Sequence, residues 1–302
     1  MKRVELTIGG LLFGSLRAVL KRLPIQRLKR VPGAAFIHTA VYRRLKPHGD
    51  TEITCLGHRL RVKAHDEGVS RQLLVNGIYE VAESHFFMNW LQPGMTVVDV
   101  GANFGYFTVL AARAEGPGGV IHAFEPEPQN FALLQTNVAA TGYSDRVQTH
   151  RMALGDAPGE LLLFTDSANL GNHSLFKENV PDSAGALNVE VIALDAWLDR
   201  LPKVDLIKID VQGFEARALR GAIRLLERDR PRILMEVWPE GLRRAGEAPS
   251  LFLEGLVERG YQLRPLGDDG RPAERIGVRE LLAACDRRVN GDPFQNILFE
   301  PG

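Results

Sequence analysis

The chain has 302 residues, 37 of them basic and 37 acidic, with 45% hydrophobic and 25% charged positions. That length suits one α/β domain with an appendage, and the composition excludes a disordered or low-complexity chain. The only two cysteines, Cys55 and Cys285, lie too far apart for a disulfide framework or a zinc cluster, which fits a reducing compartment.

The charge is unevenly spread. Residues 1–46 hold eleven Lys or Arg against one acid, Glu5, so the remainder carries an excess of about ten negative charges. Leu11, Leu12, Phe13, Leu16, Val19, Leu20 and Leu23 are compatible with one helical face, with basic residues between and after them. Such an arm predicts either peripheral contact with an anionic membrane surface or a helix packed on the main domain with a solvated basic face. No run reaches the roughly 18 apolar residues that span a bilayer. Met1-Lys2-Arg3 followed by apolar residues has the look of a signal peptide, but Glu5 and Arg17 interrupt it and no small-residue cleavage site follows. The segment is read as retained and the chain as cytoplasmic, at most peripheral to the inner face of the membrane.

In chain order, Glu52–Leu56 and Arg59–Lys63 read as a hairpin around Gly57-His58. A helix is expected over Tyr79–Leu91, with Val81, His85, Phe86 and Met88 to Leu91 on its packed side, stopped by Pro93-Gly94. Thr96–Val100 is a buried strand running into a glycine turn, and Tyr106–Ala114 is the helix that leaves it. Val120–Phe124 is a second strand ending on Glu125-Pro126, and Pro128–Thr141 is a helix ended by Gly142. Val147–Leu154 is a third strand. A polar insertion follows, with strand-like flanks at Glu160–Thr165 and Asn188–Leu194. Val204–Ile209 is the fourth core strand, Phe214–Glu227 a helix, Arg232–Val237 a strand, Leu251–Arg259 a helix, and Tyr261–Pro265 and Asn296–Glu300 the last strands. Strands alternating with helices specify an open, mostly parallel sheet covered on both faces. The chain then divides into a basic extension (1–50), a hairpin and helix leading into the core (51–92), and a cofactor-binding domain (93–302) with an insertion at about 157–195.

The most informative stretch is Asp99-Val100-Gly101-Ala102-Asn103-Phe104-Gly105, with the acid Glu125 at the end of the next strand, roughly twenty residues on. This is a nucleoside-binding half-fold: the glycines let the backbone approach the ligand and the second acid accepts ribose hydroxyls. A dinucleotide fingerprint would carry a glycine where Asn103 stands and would rest a pyrophosphate on bare amides. An acid at Asp99 is awkward beside a pyrophosphate and suits a cation. The pattern therefore points to S-adenosylmethionine (SAM), with its sulfonium and ammonium, ahead of NAD.

Ligands of such sheets bind outside the carboxyl ends of the strands, so Asp99, Glu125, Asp156, Asp210 and Glu236 are candidates. Asp156, after the third strand, is placed to accept a bond from the adenine amine, or is simply a turn residue in Gly155-Asp156-Ala157-Pro158. Lys208 inside an apolar strand needs a nearby carboxylate, and Asp210 is expected to supply it, either as a plain ion pair or at the reacting centre. His173, in the polar loop Asn169–Leu175, is a second candidate for taking a proton from an alcohol, or is merely solvated. Glu80 is placed either to reach the cofactor or to favour the first turn of its helix.

Together these residues resemble the FkbM-type SAM-dependent methyltransferases. The similarity runs from about Gly77 to Tyr261. It includes Gly77-Ile78-Tyr79-Glu80, Pro93-Gly94, VVDVGANFGYFT (97–108), AFEPEP (123–128) and Asn137. ALGD (153–156), the Gly171–Leu175 loop, Leu194-Asp195, KIDVQGFE (208–215), LRGA (219–222) and Glu236 follow in order. The resemblance implies a class I methyltransferase fold, a doubly wound, mostly parallel seven-stranded sheet, and O-methylation of a hydroxyl, often on a sugar or natural product. On that pattern Asp99, Gly101, Asn103, Glu125 and Asp156 match cofactor-side positions. The family usually has an acid where this chain has Gln212; if that acid helps catalysis, lower or altered activity follows.

The reading is a SAM-dependent O-methyltransferase acting on a hydroxyl of a sugar, glycolipid or natural product. Asp210, His173 and Lys208 are assigned to the reaction. Glu80, Asp99, Gly101, Ala102, Asn103, Gly105, Glu125, Pro126, Leu154 and Asp156 are assigned to the cofactor. No metal is required by this reading, although Asp210 and Glu236 are the oxygen ligands a divalent cation would use. The rivals are an NAD-dependent oxidoreductase and a protein that binds SAM or a glycan without turnover. No motif for base amines and no interleaved aromatics point to nucleic acid. Oligomeric state is not legible.

Overall fold

The computed structural model describes residues 44, 46–47, 49–114, 118–287 and 293–302. The expected basic helix over residues 1–46 lies outside the described residues, apart from Arg44 and Lys46. The hairpin forms from β1 (Asp50–Cys55) and β2 (His58–Lys63), turning through Leu56 and Gly57 at φ of 47° and 85°. Two positive φ values match the twist of the flanking strands, which is why this turn closes a two-residue hairpin. Helices α1 (Val69–Asn76) and α2 (Val81–Trp90) lead to the core. Phe86 and Leu91 are buried as expected, but Val81 is 44% exposed and Glu83, Ser84 and Phe87 join the buried side, a correction to part of the expected packed face.

The core runs β3 (Thr96–Val100), α3 (Tyr106–Ala114), β4 (Val120–Phe124), α4 (Pro128–Thr141) and β5 (Val147–His150). Local signals set these ends: the Glu127 side chain accepts from Asn130 N, Pro128 opens α4, and Gly142 closes it in the left-handed region. The insertion holds β6 (Ala153–Leu154), β7 (Gly159–Thr165) and β8 (Gly185–Ile192), a separate three-stranded sheet of order β6-β8-β7. After it come β9 (Leu206–Ile209), α5 (Glu215–Arg220), α6 (Ile223–Asp229), β10 (Arg232–Val237), α7 (Pro239–Arg244), α8 (Pro249–Glu258), β11 (Tyr261–Pro265), α9 (Val278–Asp286) and β12 (Gln295–Pro301).

The main sheet has seven strands in the order β11-β12-β10-β9-β3-β4-β5, and only β12 runs against the others. This is the doubly wound, mostly parallel sheet expected. Two expected elements are corrected. The strand read as Val147–Leu154 divides between two sheets, because the chain leaves the main sheet at Arg151-Met152. The helix read as Phe214–Glu227 breaks into α5 and α6 at Gly221, where a Cβ would collide with the carbonyl oxygen of Gly155.

Alternation along the strands sorts the core into two faces. Val97, Ile121, Leu206 and Leu234 pack under the hairpin and α1 to α4, while Val98, Val100, Ile207, Ile209 and Met235 pack under the later helices. On the second face the His150 ring stacks on Phe124 at 4.6 Å and meets Trp197 edge-on at 4.8 Å. Burial, with the neighbouring His122 second, holds His150 down to about 4. A depressed histidine stays neutral in the fold while the unfolded chain takes up a proton, so stability is lost as pH falls from 6.5 to 4 and is level below that. Against a His150→Phe variant, the wild type should lose on the order of 1–2 kcal/mol over that window, the half-buried ring being partly screened. Paired thermal melts at pH 7 and pH 4 check this, and an unchanged gap between the two proteins would refute it.

Candidate active site

The same alternation builds the site. Val97 and Asp99, Leu206 and Lys208, and Leu234 and Glu236 lie on one face of three adjacent strands, and register sets Lys208 directly beside Asp99 and Leu234. Apolar at their buried middles, these strands turn polar together at their carboxyl ends, on the face carrying α3. A cavity of about 360 Å3 opens there.

One wall is the glycine turn. The amides of Gly101 and Ala102 both donate to Phe124 O at 3.0 Å, which ties the turn to β4. Gly101 has φ 79° and lies against the next strand end, where a Cβ would collide with the Asp210 carbonyl oxygen. Asn103 stands at φ 52°, a conformation Asn tolerates better than most residues, which is why it replaces a glycine here. Its amide donates to Glu125 Oε2 at 2.8 Å, and Glu127 N donates to Glu125 Oε1 at 2.9 Å. Burial pushes Glu125 up to about 8, against the pull of these amides. Asp99 is 1% exposed; Thr108 Oγ1 donates to its Oδ2 at 2.6 Å, and its Oδ1 has no hydrogen-bond partner among the described residues. Asn130 Oδ1 is buried and equally unpartnered on the same cavity wall. Orphaned acceptors at Asp99 and Asn130, a close-approach turn at Gly101 and a buried acid at Glu125 fit the ammonium, ribose hydroxyls and adenine amine of SAM.

The other wall carries the charge. Lys208 is 5% exposed, its Nζ lies 3.5 Å from Asp210 Oδ2 and 4.8 Å above the centre of the Phe107 ring. Burial pulls this lysine down, but Asp210, Asp99, Glu80 and Glu236 outweigh it and hold it at about 12, so it is a fixed cation. The carboxylate expected beside Lys208 is therefore present, and Asp99 is not the isolated anion its sequence position suggests. Gln212 Nε2 donates to Asp210 Oδ1 at 2.8 Å and to Glu236 Oε1 at 3.2 Å. Loss of hydration, then the nearness of Asp210 and Glu80, raises Glu236 well above the carboxylate range.

Of the residues assigned to the cofactor, Asp99, Gly101, Ala102, Asn103, Glu125, Pro126 and Leu154 line the cavity, and so do Lys208, Asp210 and His173. Three do not. Asp156 points away, its carboxylate 3.7 Å from Arg220 Nε, because β6 has left the main sheet for the insertion. Gly105 lies behind the turn at the start of α3. Glu80 stands at the start of α2, hydrogen-bonded by the Tyr79 phenol and within the field of Lys208. His173 Nδ1 accepts the amide of Asp166 at 3.0 Å, so the neutral ring carries its proton on Nε2. That ring presents a donor, not a base, to the cavity.

Asn130, Asp66 and Glu215 escaped the sequence reading. Asp66 is fully buried and accepts Gly68 N, Ser70 N and Leu170 N, tying the start of α1 to the insertion loop over the cavity. Its D-x-G-x-S spacing was the available signal. Glu215 is 1% exposed and accepts Val211 N and Gly213 N, shaping the loop that carries Gln212.

This sheet, with its glycine turn, paired acids and polar cavity at the strand ends, is that of a SAM-dependent methyltransferase of class I. The family model described as the Methyltransferase FkbM domain matches residues 99–263, just over half of the chain, and the chain belongs to that family. It is 32% identical over 172 residues to the 31-O-demethyl-FK506 methyltransferase FkbM of Streptomyces tacrolimicus, covering 47% of this chain and 64% of that protein. It is 28% identical over 178 residues to Methyltransferase 1 of Beauveria bassiana, covering 53% and 68%. The matched stretch thus spans about two thirds of each relative. The solved structure of Methyltransferase FkbM from Methylobacillus flagellatus KT aligns with TM-score 0.45 and 16% identity, over 76% of this chain and 52% of that one. Family membership removes the oxidoreductase alternative.

Proposed function

We propose that this methyltransferase acts on a hydroxyl group of a sugar, glycolipid or natural product, with Asp210 as the base that accepts the hydroxyl proton. The observation that carries the reading is Asp210 itself. It is a carboxylate on the cavity wall, held between the Lys208 ammonium and the Gln212 amide, with its own backbone carbonyl against the glycine turn. SAM, when bound, supplies an electrophilic methyl group on a sulfonium. The chain's part is to orient an alcohol, exclude water and take its proton as the oxygen attacks. Asp99 and Lys208 set the local charge, and His173 Nε2–H is available to hold the acceptor. The Streptomyces relative, whose name records methylation at an oxygen of a natural product, supports a hydroxyl acceptor.

The test is incubation of the full chain with methyl-labelled SAM and fractionated cell-envelope glycans, lipids and small-molecule extract. Label in an alkali-stable ether of a hydroxyl-bearing fraction is the expected result. Label only in amines or carboxyl esters would overturn the acceptor class, and no label anywhere would favour the binding protein without turnover.

The division into a basic extension, a leading hairpin and helix and a cofactor domain is retained as part of this proposal. No helix of the described residues is long and apolar enough to cross a membrane. The basic arm is proposed to hold the protein at an anionic surface through charge, an attraction that salt screens. Sedimentation with anionic vesicles should fall between 50 mM and 500 mM salt and be lost on deleting residues 1–46 (about one kcal/mol per basic residue at the surface). Unchanged sedimentation after the deletion would refute the arm's role.

A further inference from the structure

Gln212 stands where the sequence resemblance implies an acid, and the geometry around it is over-determined. The backbone at Gln212 has φ 51°, a strained value for a residue that is not glycine. Its carbonyl accepts Ser174 Oγ at 2.8 Å and Asn179 Nδ2 at 2.9 Å. On either side, Val211 N and Gly213 N donate to the buried Glu215 Oε1 at 3.2 and 3.1 Å. Four hydrogen bonds thus hold the Val211–Gly213 turn in a disfavoured conformation. Strain of that kind persists only where surrounding contacts fix it, and it concentrates at functional sites.

What the strained backbone delivers is the side chain. A single amide nitrogen, with two hydrogens, meets two carboxylates from two different strand ends, Asp210 at 2.8 Å and Glu236 at 3.2 Å. Those carboxyl groups face several other titratable groups: Lys208 from β9, Asp99 from β3, Glu215 from the start of α5, and Glu80 and Glu83 with the Tyr79 phenol from the start of α2. One cation stands among six acids, so crowding Asp210 and Glu236 together is unfavourable unless something donates between them. Each carboxyl group offers an acceptor oxygen to the amide, which meets both with its nitrogen.

We propose that Gln212 is the positioning residue of the methyl-acceptor site. Its amide clamps the Asp210 and Glu236 carboxylates in one arrangement, so that the acceptor hydroxyl meets a fixed Asp210 oxygen. The inference rests on the hydroxyl reading above. It turns Gln212 from a lost acid into a donor that an acid could not replace. In Gln212→Glu a third carboxyl stands between two acceptors. Protonated, it still donates one hydrogen bond; ionised, it repels both neighbours. The folded variant therefore holds that proton above the pH at which the unfolded chain releases it, and its stability relative to wild type is lost as pH rises from about 4.5 toward 8.

Two readouts on the full chain test this. The first needs no acceptor: thermal melts of wild type and Gln212→Glu from pH 5 to pH 8. Near-equal melting at pH 5 with a gap that widens toward pH 8 is expected, while curves that stay parallel would overturn the clamp. The second uses the hydroxyl-bearing fraction labelled by the wild type, with Gln212→Leu, which keeps the volume and removes both donors. Turnover should drop about tenfold or more while the KM for SAM and the affinity for S-adenosylhomocysteine stay within about twofold. Wild-type turnover in that variant would overturn the positioning role and leave the hydroxyl reading intact. If the wild type labels no hydroxyl fraction, the hydroxyl reading and the positioning role fall together, and the melts alone decide whether the clamp exists.

Discussion

Asp210→Asn should abolish most methyl transfer while leaving the cofactor in place. The substitution keeps size and hydrogen-bonding shape but removes the oxygen anion that accepts a proton. General-base contributions are typically about 10²–10⁴-fold, and a loss of that order in kcat is expected. Asp210 borders the cofactor turn through its backbone carbonyl, which the substitution keeps, so S-adenosylhomocysteine affinity by calorimetry should change by less than about threefold. His173→Ala is the internal control. Its Nδ1 is already occupied by the Asp166 amide, and burial holds the ring below its ordinary value, so the loss should stay under about tenfold. The reverse ranking, with His173→Ala the more damaging, would move the base to the insertion loop.

The second large effect is expected at a residue far from the reacting atoms. Asn137 is fully buried in α4, and its amide spans three parts of the chain. Its Oδ1 accepts Arg61 N at 2.7 Å, and its Nδ2 donates to Arg61 O at 3.0 Å and to Phe104 O at 2.8 Å. One side chain thereby completes the open edge of β2 and pins the glycine turn at Phe104. Asn137→Leu would strand a backbone N–H and two carbonyls in a site that excludes water. With unmet buried groups worth roughly 1–3 kcal/mol each, a loss of about 3–5 kcal/mol is expected, lowering the melting temperature by about 6–15 °C. Because Phe104 belongs to the turn, S-adenosylhomocysteine should also bind more weakly. A melting temperature within about 1 °C of wild type would mean that the hairpin is held to the core by other contacts.

Legibility followed the range of the interactions. From Thr96 to Gly142 the expected helix and strand limits match the observed ones to the residue, because glycines, Pro128 and apolar strand runs act within a few positions. α1, α7 and α9 went unread: the first is eight residues between two glycines, with Ser70, Arg71 and Gln72 interrupting its apolar pattern. The division of Val147–Leu154 between two sheets could not be read, since the local pattern is one continuous strand and only the insertion sheet draws β6 away.

The amino-acid sequence alone determined the class of protein and its cofactor. The turn Asp99–Gly105 and the acid Glu125 interact over a short stretch of chain, and their spacing carries the geometry with it. Only the tertiary structure decided the side of the cavity where the acceptor is proposed to bind. There the Lys208 and Asp210 side chains of β9 and its end meet Glu236 because β10 runs beside that strand, Asp156 is turned away by a second sheet, and which His173 nitrogen stays free depends on the Asp166 amide. Gln212, a missing acid when read along the chain, is in space the donor between two carboxylates. That difference arises because electrostatics in a buried site depends on what surrounds a residue and not on what precedes it.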